Sequence, residues 1–408
     1  MRQIVVMVTT SYPRFPGDGV GSFMEPIAKG LAARGHEIHL VAPWHPAIRR
    51  PKVDEGVIFH FFKYAPVPSL NVFGYAEGLH ADTKLRASAW MVAPLAMAAG
   101  WFKAWRVAMK KKATVMHGHW VIPGGVMAAM ASSTLPLVVS LHGSDVFVAE
   151  RHSIARSAAR MAFDRAGWIT APSDDLCDRA AKIGADRARL ETLPYGVDTT
   201  RFEPNPATRD RVRQELGIGN GQLIVSAGRL VRKKGFEYLI AAIRQLASDR
   251  PDVRLVIAGG GDLHDELSAL AARAAPAQIT LAGNKTQDEV AQLLSAADVA
   301  VVPSVRDDEG NVDGLPNFAL EALASGTPVV ATRAGGLPQA IDDGVTGLLV
   351  PERDPAALAA AIRSLLDDPP KARALGQQAR QKIASQFGWT RVAERFEAAY
   401  DRVQPRRP

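Results

Sequence analysis

The stretch Ile4-Val5-Val6-Met7-Val8-Thr9-Thr10-Ser11-Tyr12-Pro13-Arg14-Phe15-Pro16-Gly17-Asp18-Gly19-Val20-Gly21 decides the fold class. Ile4 to Val8 is a continuous β-branched and apolar run, the pattern of a parallel strand buried on both faces; a half-solvated strand would alternate. A glycine-punctuated loop, Tyr12 to Gly21, comes next. Ile27 and Leu31 then recur at helical spacing before Gly35-His36 stops the helix. Ile38 to Ala42 is the second strand. Strand, loop, helix and strand in this order make the repeating unit of a doubly wound α/β domain.

Working outward, the alternation continues through strand candidates Val57 to Phe62, Thr114 to His117, Leu137 to Leu141, Trp168 to Thr170 and Leu190 to Leu193, separated by alanine-rich helical stretches. It breaks where proline, glycine and turn formers cluster, from Leu193-Pro194-Tyr195-Gly196-Val197-Asp198 to Phe202-Glu203-Pro204-Asn205-Pro206. A second α/β domain then restarts with Leu223 to Ala227, Arg254 to Ala258, Ile279 to Ala282, Val299 to Val302, Val329 to Ala331 and Leu348 to Val350. Domains are therefore expected at residues 1–195 and 196–386. The closing amphipathic segment, Phe387 to Val403, aligns Trp389, Val392, Phe396 and Tyr400 on one face, and residues 387–408 are expected to pack back on the N-terminal domain across the boundary. Open α/β sheets bind ligands outside the carboxyl ends of their strands, so two such domains predict a cleft lined by loops that follow strands.

The length of 408 residues fits two domains. Hydrophobic residues make up 47% and charged residues 22%, which excludes wholesale disorder. Cys177 is the single cysteine, so an internal disulfide and a cysteine-based metal cluster are excluded and a reducing cytoplasm is expected. The run Ile4 to Val8 is far shorter than the apolar region of a signal peptide.

The net charge of +7 is local. Between Asp82 and Asp145 there is no acid, whereas Lys84, Arg86, Lys103, Arg106, Lys110, Lys111 and Lys112 carry seven positive charges, and the rest of the chain balances. The same region holds Ala87 to Phe102, an apolar run with Pro94 inside it, shorter than the ~20 residues a spanning helix needs. Trp90, Trp101, Phe102 and Trp105 beside these cations fit a helix lying on an anionic membrane surface across residues 90–112. They fit equally a buried helix with a solvated basic end. No nucleic-acid-binding motif is present, and the basic run is short for such a role.

Three loops after strands carry chemistry. Gly228-Arg229-Leu230-Val231-Arg232-Lys233-Lys234-Gly235 places a guanidinium fork at Arg229 and a point charge at Lys234 on the expected first turn of a helix, a setting for a diphosphate. The bland reading is a solvated basic turn. Asp313-Gly314-Leu315-Pro316-Asn317-Phe318-Ala319-Leu320-Glu321 sets one carboxylate before a helix and another about two turns inside it, with Pro316 near the first helical position and the Gly314 to Asn317 amides open to an oxygen-rich ligand. Here the bland reading is Asp313 as a helix cap and Glu321 as a surface charge. Ser140-Leu141-His142-Gly143-Ser144-Asp145 puts His142 at a strand end, where it could touch a sugar hydroxyl or deprotonate an acceptor that Asp145 orients. His117 and His119 also end a strand and serve equally well as satisfied loop histidines. Gly259-Gly260-Gly261 lacks the third glycine of a dinucleotide fingerprint, since His264 stands there, and marks a close backbone approach.

With these loops in hand the chain resembles the GT-B glycosyltransferases of family 4, over nearly its whole length. The resemblance rests on Gly228-Arg229…Lys234-Gly235, on the acid-x7-Glu element from Asp313 to Glu321 with the following Ala-Leu-Ala-Ser-Gly-Thr-Pro-Val-Val-Ala, and on Pro194-Tyr195-Gly196-Val197-Asp198…Phe202. It implies two Rossmann-like domains and retaining transfer from a nucleoside diphosphate sugar. Arg229 and Lys234 would hold the diphosphate, Glu321 the ribose hydroxyls and Asp313 the donor-sugar hydroxyls. Gly314, Leu315, Pro316 and Asn317 would supply backbone contacts, Gly19 would touch phosphate and acceptor, and His142 would be the active-site histidine. The sequence departs from the family at Asp313, usually glutamate, at Asp18-Gly19, usually two glycines, and at Tyr195, usually asparagine.

The motifs call for no metal, because Arg229, Lys234 and a helix N-terminus supply positive charge, and for no cofactor, the nucleotide sugar being a substrate. The expected partners are a UDP- or GDP-linked sugar and a glycan or lipid-linked acceptor, as in exopolysaccharide or lipopolysaccharide assembly. The expected location is the cytoplasm or the inner face of its membrane. A sugar-nucleotide 2-epimerase and a non-catalytic nucleotide-sugar binding protein are the competing readings.

Overall fold

The computed structural model describes residues 2–65, 67, 71, 73–75, 79, 80, 84, 85, 87–274 and 278–405, with the backbone alone for 79, 80, 84, 85 and 87–91. Arg86 and the side chains of Lys84 and Trp90 thus lie outside the described residues. The chain divides into two units, Met1–Pro194 with Trp389–Pro408, and Tyr195–Gly388.

In chain order the strands of the first unit are β1 (Ile4–Val8), β2 (Glu37–Pro43), β3 (Val53–Asp54), β4 (Val57–Phe62), β5 (Leu79–His80), β6 (Lys84–Leu85), β7 (Val115–His119), β8 (Leu137–Ser140), β9 (Trp168–Ala171) and β10 (Leu190–Thr192). The main sheet runs β10-β9-β8-β7-β1-β2-β4-β3, while β5 and β6 pair separately. Its pairings are parallel except at the edge, where β3 meets β4 antiparallel. β1 explains the arrangement. Val5 and Met7 face a layer that includes Tyr12, Met24, Ile27 and Leu31, whereas Val6 and Val8 face Met116, Val126 and Met127, so both faces of the strand are covered. The last helix, Trp389–Val403, turns Val392, Ala393, Phe396, Ala399 and Tyr400 inward onto the first of these layers. Its Ala393 lies so close to Gly30, in the helix Met24–Ala33, that a Cβ there would come within 3.2 Å.

The second unit holds β11 (Gln222–Ala227), β12 (Val253–Ala258), β13 (Ile279–Leu281), β14 (Val299–Val302), β15 (Val329–Thr332) and β16 (Leu348–Val350). They form a parallel sheet in the order β13-β12-β11-β14-β15-β16. Strand order therefore reverses between β11 and β14, the place where open α/β sheets receive ligands. In the first unit the reversal falls between β1 and β7.

The run from Ala87 is one helix extending to Lys111, with Pro94 inside it. Among the described residues no helix is long and apolar enough to cross a membrane.

Candidate functional site

In the second unit the loops leaving β11 and β14 meet at the reversal point. The loop after β11 is tied to the loop after β12: Gly228 N–H donates to Ala258 O at 2.9 Å and Leu230 N–H to Gly260 O at 2.9 Å. A Cβ at Gly259 would lie 1.9 Å from the Gly228 carbonyl oxygen, so the glycine triplet is the close backbone approach read from the sequence. Arg229 is exposed on this loop, and the charges of Asp313 and Asp262 act on it.

Lys234 is not in the first turn of the helix. It closes a 3-10 turn, Arg232–Lys234, after which Gly235 adopts φ +64° and the helix Phe236–Ala247 begins. The left-handed conformation and the Pro303 carbonyl oxygen, 2.1 Å from where a Cβ would sit, both require glycine at 235. This contact presses the lysine turn against the chain leaving β14, where Val305 N–H donates to Lys233 O at 2.8 Å.

As a result Lys234 Nζ lies 2.7 Å from Asp313 Oδ2 and Lys233 Nζ 3.1 Å from Asp313 Oδ1. Ser304 Oγ donates to Asp313 Oδ2 at 3.3 Å. Burial pushes the Asp313 carboxyl up, but Lys234 and Lys233 outweigh it and hold the group well below the usual carboxylate range. Asp313 is thus neither a cap nor a free acid. Its carbonyl oxygen lies 1.9 Å from where a Cβ at Gly335 would be, and Gly335 has φ +53°, so position 335 requires glycine.

The helix following is Asn317–Ala324, with Pro316 as its N-cap rather than its first residue. Glu321 is its fifth residue, one turn in rather than two. Burial pushes Glu321 up to about 7, against the attraction of Lys234 and Arg201. Proline has no N–H, so the available amides of this segment are those of Gly314, Leu315 and Asn317, and these three donate to no acceptor within the described residues. Lys234 thus acts on both Asp313 and Glu321, and Asp313 acts in turn on Arg229, which links the four residues in one electrostatic chain. Lys233 is the member that sequence reasoning passed over; its signal was adjacency to Lys234 at the end of the same tight turn.

In the first unit His142 lies at the carboxyl end of β8, its ring 4.4 Å from Trp120 and 4.8 Å from Phe23, centroid to centroid. His119 Nδ1 is 3.2 Å from His142 Nε2. Burial lowers His142 far below its ordinary value and takes His119 down to about 3, so both are neutral near pH 7. The neutral imidazole of His142 is the form that both contact with a sugar hydroxyl and deprotonation of an acceptor require. His119 Nε2 is buried with no partner among the described residues. His117 is the satisfied core histidine, held by the Tyr400 hydroxyl at 2.8 Å and Ser140 Oγ at 2.7 Å.

The carboxylate of Asp145 accepts from Val121 N–H at 2.6 Å, Gly143 N–H at 2.9 Å and His142 N–H at 3.1 Å. It is a staple for the His142 loop, and its oxygens are already engaged where an acceptor-orienting role would need them free. Gly19 is exposed, and a side chain there would meet open space. Asp18, beside it, accepts from Arg14 Nε at 2.7 Å and Val20 N–H at 3.2 Å, closing the loop where the resemblance had a glycine.

The model of Glycosyltransferase Family 4 matches residues 17–201, and that of the Glycosyl transferases group 1 matches residues 208–382. Glycogen synthase of Mycobacterium tuberculosis is 30% identical over 95% of this chain and 92% of its own. The chain belongs to the group 1, family 4 glycosyltransferases. A GDP-mannose-dependent alpha-(1-6)-phosphatidylinositol monomannoside mannosyltransferase of Mycolicibacterium smegmatis is 36% identical to this glycosyltransferase over 66% of the chain and 71% of the relative. The structure of HepE of Anabaena in complex with UDP matches 98% of the transferase and 100% of that chain with a TM-score of 0.78 at 21% identity, a likeness of fold. The two Rossmann-like parallel sheets are those of the GT-B glycosyltransferases.

Proposed function

We propose that this glycosyltransferase moves a sugar, with retention of configuration, from a UDP- or GDP-linked donor to a hydroxyl of a glycan or lipid-linked saccharide. The setting is exopolysaccharide or lipopolysaccharide assembly at the inner face of a membrane. The observation that carries this is the assembly of Arg229, Lys234, Asp313 and Glu321 where strand order reverses in the second unit.

In this reading the diphosphate takes Lys234 from Asp313 and gains the fork of Arg229, so departing charge is neutralised by side chains. The N–H groups of Gly314, Leu315 and Asn317 turn toward the donor's oxygens. Asp313, freed of Lys234, accepts from donor-sugar hydroxyls, and Glu321 accepts from the ribose. Gly19 leaves room for phosphate and acceptor. His142 hydrogen-bonds a sugar hydroxyl, and the acceptor hydroxyl attacks the face from which the diphosphate leaves, passing its proton to the leaving phosphate.

The name of the Mycolicibacterium relative supports a GDP-linked donor and the Anabaena complex a UDP-linked one. A thermal-shift panel of UDP, GDP, ADP and CMP tests the donor site, with selective stabilisation by UDP or GDP as the expected result. The product's anomeric configuration, read by NMR, tests retention. Turnover that disappears on chelation and returns with Mg²⁺ would overturn the side-chain account of charge neutralisation. Product formed without acceptor would replace transfer by epimerisation.

A further inference from the structure

The helix Ala87–Lys111 is amphipathic the wrong way round. Its buried positions are the small residues Ala96, Gly100, Ala104 and Ala108, with Val107. Gly100 is so tightly covered that a Cβ would lie 2.3 Å from Met127 Sδ. Among its described side chains five large apolar residues face water instead: Leu95 is 61% exposed, Phe102 51%, Trp105 41%, Met109 64% and Trp101 36%. At 100° per residue these five fall within an arc of about 120°, with Arg106, Lys110 and Lys103 continuing along one border. A helix in a water-soluble fold ordinarily turns its large apolar side chains inward, so this stripe is built to be covered by something outside the chain.

The charge says what. Arg106, Lys110 and Lys112 are exposed, and none of Lys103, Arg106, Lys110, Lys111 and Lys112 forms an ion pair among the described residues. Aromatic and aliphatic side chains bordered by unpaired cations match the acyl boundary and phosphate layer of an anionic bilayer. We propose that this face of the helix docks the transferase on an anionic lipid surface, with Leu95, Trp101, Phe102, Trp105 and Met109 inserted and Arg106, Lys110 and Lys112 at the phosphates. The inference deepens the lipid-linked acceptor reading and rests on it for its purpose: the enzyme lies where its acceptor is held.

Co-sedimentation with phosphatidylcholine vesicles, with and without phosphatidylglycerol, tests the docking on the full chain. Wild type is expected to sediment with the anionic vesicles only, and to be released by salt. Trp101→Ser/Phe102→Ser/Trp105→Ser should lower partitioning by at least about tenfold. Arg106→Gln/Lys110→Gln/Lys112→Gln should lower it by about 100-fold, at about fivefold per charge. All these positions are solvent-exposed, so both variants should keep the wild-type melting temperature and its stabilisation by nucleotide. Absence of vesicle binding, equal binding to neutral vesicles, or binding unchanged in both variants overturns the proposal. So does a concentration-dependent dimer that the aromatic variant abolishes, which would give the face to a second copy. Nucleotide stabilisation is read separately: its loss with docking intact refutes the donor site alone, and the reverse refutes the docking alone.

Discussion

Glu321→Gln should make the transferase more stable and a poorer binder of its donor, with the gain in stability growing with pH. Burial raises the Glu321 carboxyl from 4.5 to about 7 in the folded chain, despite the attraction of Lys234 and Arg201. In the unfolded chain it titrates at the ordinary value, so between about pH 4.5 and 7 the folded state binds the extra proton and stability falls as pH rises through that window. At 1.36 kcal/mol per pH unit, an ionised Glu321 costs the fold about 3 kcal/mol by pH 8. Glutamine has the same size and never ionises. The variant should therefore match wild type near pH 4 and exceed it by up to about 3 kcal/mol near pH 8, which in a unit of roughly 200 residues is a rise of about 6–12 °C in melting temperature. Thermal unfolding without nucleotide across that pH range measures this. Repeating it with nucleotide should show a smaller stabilisation in the variant, because an amide accepts through one oxygen whereas a carboxylate accepts through two. A difference in melting temperature that does not change with pH, or a variant less stable at every pH, would refute the reasoning.

Arg229→Ala/Lys234→Ala should abolish the stabilisation of about 2.7 kcal/mol that a nucleotide at 100 times its Kd confers; an undiminished thermal shift would place the phosphates elsewhere. Gly335→Ala should cost about 1–3 kcal/mol in stability, because it strains a left-handed residue, and its Cβ would meet the Asp313 carbonyl oxygen at 1.9 Å. Displacing Asp313 should also weaken donor binding, and calorimetric titration with nucleotide sugar reads that loss. Asp145→Asn should cost about 1–3 kcal/mol, since an amide cannot accept from all the N–H groups of Val121, Gly143 and His142. Its transfer rate should fall while nucleotide stabilisation persists, because the staple holds the His142 loop and not the loops of the second unit.

The strands were legible because doubly wound sheets bury both faces. Ile4 to Val8, Val57 to Phe62, Val299 to Val302 and Leu348 to Val350 are strands with the boundaries their apolar runs suggest. The edge strand Val53–Asp54 and the pair Leu79–His80 and Lys84–Leu85 left no trace in the pattern, since two residues cannot show a period. Helix starts were misplaced by one to two residues at Lys234 and Pro316, because there a glycine in a left-handed conformation and a proline cap set the boundary, and neither effect is periodic. The residues proposed for the donor site were readable from their positions after strands. The pairing of Lys233 and Lys234 with one carboxylate, the coupling of His119 to His142 and the engagement of Asp145 by backbone amides were not. Each depends on which way a loop folds back, and that is decided by contacts such as Gly235 with Pro303 between segments some 70 residues apart.

Those contacts bear on how one loop can serve both a resting and a loaded enzyme. Gly235 and Gly335 bring the lysine turn and Asp313 into main-chain contacts closer than a Cβ would allow, and the charged groups at these points are carried by side chains. With two cations facing one carboxylate, the set carries an excess of one positive charge, and Arg229 adds another. A diphosphate brings about the complementary charge, so on the proposed reading its arrival exchanges one set of charge-assisted hydrogen bonds for another of similar strength. The backbone need not rebuild, and the reorganisation cost stays within a few rotamers. Both lysines reach the Asp313 carboxylate, so on the proposed reading, in which Lys234 turns to phosphate, Lys233 remains to hold Asp313 ionised and able to accept from a sugar hydroxyl.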